Sequence, residues 1–262
     1  MTNSGKAAGS RAGRLTVIGL GPGEERFLTG QAQAALGEAE AVYGYIPYLE
    51  RVPTREGQTR HPSDNREELA RAGAALAHAA GGARVAMVSG GDPGVFAMAA
   101  AVIEAIEAGP AEWRALEVEI VPGITAMLAV AARCGAPLGH DFCAVSLSDN
   151  LKPWEVIEQR LRFAAKAGFA MAFYNPVSKA RPHQLDAAFD ILREELPAEV
   201  PVIFGRAVGR PDERIRVVPL GNARGHMADM ATCVIVGSPE TRIVARPGRP
   251  ALVYTPRRSG EE

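Results

Sequence analysis

Three short stretches gather the residue types that bring backbone close to a ligand. They are "GLGPGE" at 19–24, "SGGDPG" at 89–94 and "PGITA" at 122–126. Glycine permits tight turns and leaves no side chain between the backbone and a bound molecule. Each stretch ends a short apolar run: "LTVIGL" (15–20), "ARVAMVS" (83–89) and "LEVEIVPG" (116–123). In a parallel α/β sheet the carboxyl ends of the strands share one edge, and ligands bind there, where strand order reverses. Three glycine turns at corresponding positions therefore predict a backbone-lined pocket. Asp92 stands in the second turn. It suits a helix N-cap ahead of Pro93 and, with the Gly90 and Gly91 backbone, a contact to a bound cofactor; the two roles are compatible.

The same stretches exclude some chemistry. A dinucleotide fingerprint built on Gly19-Leu20-Gly21 needs a third glycine at position 24, where Glu24 stands. A carboxylate there would repel a pyrophosphate, and Pro22 removes a backbone donor. The phosphate-loop pattern is absent as well. An uncharged or cationic ligand fits better, which argues against the alternative of an NAD-dependent oxidoreductase. Cys134, Cys143 and Cys233 are odd in number and scattered, with neither a disulfide framework nor metal-ligand spacing, so no metal is expected. The 29 basic and 30 acidic residues leave a net charge of −1, without the basic excess of a nucleic-acid binder.

The elements that must position these turns follow from periodicity. Helices are predicted at 30–42, 66–80, 95–109 and 124–135, the last closed by Gly135. After "APLGHD" the pattern restarts, with strands in "DFCAVSLSDN" (141–150) and "FAMAFYNP" (169–176) and helices at 152–168 and 181–196. Then come "VPVIFGRAV", "RIRVVPL", "TCVIVGS", "TRIVAR" and "ALVYTPR", short strands with little helix between them. The expectation is an α/β fold of two α/β domains: an N-terminal one over 15–138 with a mostly parallel sheet, and a C-terminal one over 139–256 with a mixed sheet. Residues 1–14 read as a flexible tail without a signal peptide, and no apolar run of ~18 residues predicts a membrane span. A cytoplasmic protein is expected.

Taken together and in this order, Gly19-Leu20-Gly21-Pro22-Gly23, Gly90-Gly91-Asp92-Pro93 and Pro122-Gly123-Ile124-Thr125-Ala126 resemble the loops of the tetrapyrrole methyltransferases of cobalamin and sirohaem synthesis. These form the third structural class of methyltransferases that use S-adenosylmethionine. The resemblance covers nearly the whole chain and implies a cofactor cleft between the two domains, and a homodimer. "VYGYIPYL" (42–49), "SLSDNLKPWEVIEQRL" (146–161) and "FYNPVSKAR" (173–181) resemble the branch that acts on C17 of precorrin-3B. Asn175 stands where most sister branches carry methionine, which agrees with that branch. The resemblance implies methyl transfer from S-adenosyl-L-methionine to C17, leaving S-adenosyl-L-homocysteine. It also implies ring contraction, with C20 extruded as an acetyl group, to give precorrin-4; release of the product and hand-over to neighbouring pathway enzymes both stay open. Another precorrin position and the cobalt-containing C17 substrate are the alternatives within the fold. A non-catalytic tetrapyrrole carrier would need no donor pocket, and an RNA ribose methyltransferase would show a basic footprint.

By correspondence with the family, cofactor contacts fall on Pro22, Gly90, Gly91, Asp92, Val95, Thr125 and Ala126, and in the second half on Asn175, Ala207 and Val208. Thr232 joins them from its place before the strand "CVIVG". Methyl transfer from a sulfonium is in-line displacement, so it needs alignment more than a nucleophilic side chain or a metal. The acceptor carries acetate and propionate groups, which arginine pairs bidentately. Lys179, Arg181 and Arg206 are the leading candidates for them; Arg51, Arg55, Arg60, Lys152 and Arg210 are others. Ring contraction needs a proton donor or acceptor, and Asp149 and Ser148 in "SLSDN" are the first candidates. Both also suit a polar turn ahead of the helix that Pro153 opens.

Overall fold

The structure, a computed structural model, describes residues 13–65 and 67–258. Of the expected tail, residues 1–12 lie outside the described residues, and Arg14 already belongs to the first strand. The chain divides into two compact units, the first closing at Thr125 and the second opening at Ala126.

The first unit holds strands β1 (Arg14–Gly19), β2 (Ala41–Tyr45), β3 (Thr59–Ser63), β4 (Arg84–Ser89) and β5 (Glu117–Val121). All neighbouring strands are parallel, in the order β3-β2-β4-β1-β5. Side chains alternate across the sheet, as a period of two requires. Leu15, Val17, Val85 and Met87 pack on one face against α3 (Glu68–Ala80) and α4 (Met98–Ala108). Ile18, Leu20, Ala86 and Val88 pack on the other against α1 (Gly30–Glu38) and α2 (Ile46–Leu49). The chain leaves β1 toward one side of the sheet and leaves β4 toward the other. β1 and β4 are neighbours, so the point where strand order reverses lies between their carboxyl ends.

The sequence reading undercounts this sheet. The predicted helix at 30–42 stops at Glu38, because Ala39 turns extended and Ala41 opens β2. Strand β3, "TRHPS", carries no apolar alternation. It survives as an edge strand, where Pro62 costs the ladder little. The helix predicted at 95–109 begins three residues late, at Met98.

The second unit contains α5 (Ala126–Cys134), β6 (Gly135–Ala136), β7 (Phe142–Ser146), α6 (Trp154–Lys166), β8 (Ala170–Tyr174) and α7 (Gln184–Glu195). It continues with β9 (Pro201–Arg206), β10 (Arg214–Pro219), β11 (Thr232–Val236), β12 (Arg242–Arg246) and β13 (Arg249–Tyr254). The main sheet runs β10-β9-β11-β8-β7, with β7 and β8 parallel and the other three pairs antiparallel. Phe173, Phe204 and Val234 face α6 and α7, while Ala172, Ile203 and Ile235 face α5. The expected boundary at 138/139 lies beyond α5, which packs on β11, β13 and β10 of the second unit. A Cβ on Gly205 would stand 2.2 Å from a Val130 methyl of α5. Gly135 takes φ +132° and pairs with Val253, opening β6 in a small sheet ordered β12-β13-β6. Burial pushes the Cys134 thiol up to about 11 and Cys233 up to about 12, and raises Cys143, so all three act as packing residues at neutral pH.

Candidate functional site

In the first unit the three glycine turns meet at the carboxyl ends of β1, β4 and β5. Gly21 and Gly91 exchange backbone hydrogen bonds, each N–H donating to the other's carbonyl at 3.0 Å. Both are left-handed, at φ +66° and +65°, where glycine bears no steric penalty. Gly19 and Gly123 press into the same place. A Cβ on Gly19 would lie 2.7 Å from the Gly91 oxygen, and one on Gly123 would lie 2.2 Å from it. A Cβ on Gly90 would strike the Tyr48 ring at 2.7 Å. These turns form a ledge of bare backbone because their glycines pack back to back.

Two side chains fix the ledge. Asp92 Oδ2 accepts from Gly123 N at 3.0 Å and Oδ1 from Gly94 N at 2.8 Å, tying the second turn to the third. It does not cap α4, which starts six positions later at Met98. Arg51 Nη2 donates to the carbonyls of Leu20, Gly21 and Gly23 at 2.9, 2.8 and 2.8 Å, anchoring the first turn. Arg51 thus holds protein backbone where the sequence suggested an acceptor carboxylate. Arg60 likewise donates to Val52 O at 2.9 Å and to Leu49 O. Glu24, the residue that broke the dinucleotide pattern, pairs with Arg26 at 3.0 Å. Pro22 and Val95 are half-buried, and Thr125 is buried at the end of the unit.

In the second unit β11 runs antiparallel to both β8 and β9, and β7 runs parallel to β8. The carboxyl ends of β7, β8 and β9 and the amino end of β11 therefore share one edge, with Ser146 opposite Tyr174 and Thr232 opposite Arg206. Asn175 is left-handed at φ 52°, and its Nδ2 donates to Ser146 Oγ at 3.0 Å. Arg181 Nη1 donates to Ser148 Oγ at 2.9 Å and Asn150 Oδ1 at 2.5 Å, and lies 3.8 Å from the Asp149 carboxylate. Lys152 Nζ donates to the carbonyls of Ser146 and Ser148 at 2.9 and 3.3 Å. Burial and the nearby Arg160 charge lower its pKa, against the opposing pull of Asp149. Ser146, Ser148, Asp149, Lys152, Asn175 and Arg181 thus form one bonded patch, with two cations to one carboxylate. Lys179 is exposed at the tip of a hairpin that Ser178 and Arg181 close by exchanging backbone hydrogen bonds at 3.2 and 3.0 Å.

Along the same edge Thr232 Oγ1 donates to Asp229 Oδ1 at 2.8 Å and accepts from Asp229 N at 3.0 Å. Ala207 is left-handed at φ 49°, its N–H donating to Ala231 O at 2.9 Å; Val208 is buried and Ala126 opens α5. Arg206 differs from expectation. Its guanidinium donates to Asp229 at 2.8 Å and Asp212 at 2.5 Å, and the bond from Arg206 holds the Asp212 carboxyl below its usual range. Two aspartates already occupy the fork that was expected to meet an acceptor carboxylate. Tyr48 and Ser146, which brace Gly90 and Asn175, went unread because neither type announces a site by itself.

The first unit is a doubly wound parallel sheet whose strand order reverses beside a bare glycine ledge, and the second is a mixed α/β unit with left-handed Asn175 and Ala207 at one edge of its sheet. Among the described residues no group of three His, Cys, Asp or Glu is placed to hold a metal ion, and no helix is long and apolar enough to cross a membrane. The family of tetrapyrrole (corrin/porphyrin) methylases matches residues 14–224, and the chain belongs to it. It is a methyltransferase. It is 67% identical over 245 residues to a precorrin-3B C(17)-methyltransferase of Sinorhizobium sp, covering 94% of this chain and 96% of that one. It is 39% identical over 244 residues to a probable cobalt-factor III C(17)-methyltransferase of Salmonella typhimurium, covering 93% and 98%. The crystal structure of the methyltransferase CobJ superposes with a TM-score of 0.89 at 57% identity, covering 93% of this chain and all of that one.

Proposed function

We propose that this chain transfers a methyl group from S-adenosylmethionine to C17 of precorrin-3B, with ring contraction to precorrin-4, in cobalamin biosynthesis. The observation that carries this reading is the 67% identity, over nearly the full length of both chains, to the Sinorhizobium precorrin-3B enzyme. The C17 enzyme of the cobalt-containing substrate is far less similar, at 39%, which favours the metal-free acceptor.

The residues of the first unit suit the donor. When bound, S-adenosylmethionine supplies an activated methyl on a sulfonium, and the chain must hold it in line with the accepting carbon. Gly90, Gly91 and Asp92, with Pro22, Val95, Thr125 and Ala126, would hold it. The bare ledge lets a ligand reach backbone groups, and the ties from Asp92 and Arg51 fix the ledge before binding. Asn175, Ala207, Val208 and Thr232 complete the donor contacts in this reading. Arg181 and Lys179 meet acceptor carboxylates, and Asp149 and Ser148 stand beside Arg181 to move the proton that ring contraction requires. We place the enzyme in the cytoplasm as a homodimer that hands its product to the next pathway enzyme.

Calorimetric titration of the purified protein with S-adenosylhomocysteine is the first test, and stoichiometric binding is expected. A mass assay with precorrin-3B and with its cobalt-containing counterpart follows. One methyl gained on precorrin-3B alone is the expected result; methylation of the cobalt substrate alone would reassign the acceptor.

A further inference from the structure

Strands β7 and β8 run parallel and part at their carboxyl ends. Ser146 closes β7 opposite Tyr174, and one more ladder bond follows, from Leu147 N to Tyr174 O at 2.9 Å. Beyond it Leu147 is fully buried, while Asn175 takes a left-handed backbone at φ 52°. Two local forces oppose that conformation. The left-handed region crowds the Cβ of an L-residue. Pro176 follows, and a proline presses the residue before it toward extended backbone. Asparagine tolerates the left-handed region better than most residues because its short polar side chain can bond locally.

Ser146 is the partner it finds. Among the described residues the Asn175 side chain makes one hydrogen bond, from Nδ2 to Ser146 Oγ at 3.0 Å. Ser146 is only 7% exposed, so this hydroxyl works away from water. The same oxygen accepts from Ser148 N at 3.4 Å. A hydroxyl oxygen can accept two hydrogen bonds, so both places are taken and the hydroxyl is fixed as an acceptor. The Asn175 amide is thereby held by its nitrogen, which leaves its oxygen, Oδ1, to meet a bound molecule. Strain of this kind persists where the surrounding structure enforces it, and it gathers at ligand-binding sites.

We infer that Ser146 is a positioning residue for the methyl donor: its hydroxyl holds left-handed Asn175 so that the amide oxygen meets an amino group of the bound molecule. This rests on the methyltransferase reading above, which gives Asn175 to the donor. S-adenosylmethionine and S-adenosylhomocysteine both carry amino groups, and an amide oxygen accepts hydrogen bonds from such donors. Ser146 also supports the patch given to the acceptor, but through a different atom. Lys152 Nζ binds the Ser146 carbonyl oxygen at 2.9 Å, and alanine at 146 keeps that oxygen. Loss of the hydroxyl is therefore felt at the donor and much less at the acceptor.

The test uses Ser146→Ala, Asn175→Gly and the double variant. Glycine keeps the left-handed backbone available and removes the amide. Calorimetry reads S-adenosylhomocysteine affinity, and steady-state kinetics reads the KM for precorrin-3B. Ser146→Ala should weaken S-adenosylhomocysteine about three- to tenfold, the range for one hydrogen bond, and leave the precorrin-3B KM within about twofold. In the Asn175→Gly background Ser146→Ala should cost no further affinity, because the group it positions is gone. Unchanged affinity in Ser146→Ala, losses that multiply in the double variant, or an equal rise in the precorrin-3B KM would each overturn the assignment. The second would make Ser146 a donor contact in its own right, and the third a general support of the sheet edge. Should Ser146→Ala fail to fold, Ser146→Thr and Asn175→Gly carry the test. Threonine keeps the hydroxyl and should bind within about twofold of wild type, whereas Asn175→Gly should bind at least about threefold more weakly; either result reversed overturns the inference. Absence of S-adenosylhomocysteine binding in the wild type would instead defeat the donor reading, and this inference with it.

Discussion

Asp92 joins two turns that the sequence shows thirty residues apart, and its two carboxylate oxygens serve different turns. Removing the carboxylate leaves two backbone N–H groups without their partner. Asp92→Ala should therefore lower stability by roughly 2 kcal/mol, from hydrogen bonds worth about 1 kcal/mol or more apiece to a charged acceptor. It should also weaken S-adenosylhomocysteine binding more than tetrapyrrole binding. Denaturant titration reads the first, and separate titrations with the two ligands read the second; equal losses would remove Asp92 from the donor site. Arg51 acts on the neighbouring turn from behind. Arg51→Ala frees three carbonyls and should weaken S-adenosylhomocysteine about tenfold, while Arg51→Lys, one donor group on a flexible stem, should recover only part of the loss. Calorimetry with both variants checks this.

At the scale of elements, the edge strand β3 is held by an aromatic cluster. The His61 ring stacks on Tyr43 at 4.2 Å and 6°, and the Tyr43 hydroxyl meets His78 Nδ1 at 3.2 Å. Burial and the neighbouring His78 charge lower the His61 pKa below its usual value. The folded protein thus resists protonation that the unfolded chain accepts. Stability is full above an unfolded histidine pKa of ~6.5 and falls as pH drops through it toward the lower folded value. The thermal midpoint should decline from about pH 7.5 to about pH 5.5, and His61→Phe, which preserves the stack, should flatten that decline. This strand also shows where the sequence was illegible. Most strands of both sheets were readable from their apolar runs, and the glycine turns from composition. β3 was not, because "TRHPS" owes its place to pairing with β2 and to this cluster. β2 was hidden by alanines that read as helix until Ala39 turned extended. The glycines, Asp92, Asn175 and Arg181 could be singled out in the sequence, and the structure sets them at the strand edges of their units. The work of Arg51 and the fate of Arg206 depend on how loops fold back on them, and a lone arginine reads the same whether it faces a ligand, a carbonyl or two aspartates.

At the scale of the whole molecule, a net charge of −1 gives an anionic acceptor no long-range attraction, so any attraction must be local. In the proposed function the patch around Arg181 and Lys152 supplies it over short range. Raising salt from ~0.05 to ~0.3 M should therefore raise the acceptor KM several-fold and leave S-adenosylhomocysteine affinity nearly constant, because screening acts on charge pairs near the surface. Steady-state kinetics and calorimetry across that range decide it. The ledge has a consequence on this scale too. Gly19, Gly91 and Gly123 come from three strands, yet each occupies the volume that a methyl group on another would require. A drifting sequence meets them as one character rather than three. Alanine at Gly19 or Gly123 is blocked by backbone, which no side-chain trimming can move aside, and at Gly91 it meets a left-handed φ of +65°, so no stepwise route leads from this ledge to a side-chain-lined one. The edge of the second unit differs: Asn175, Arg181, Arg206 and Thr232 hold it through side chains that single substitutions can exchange.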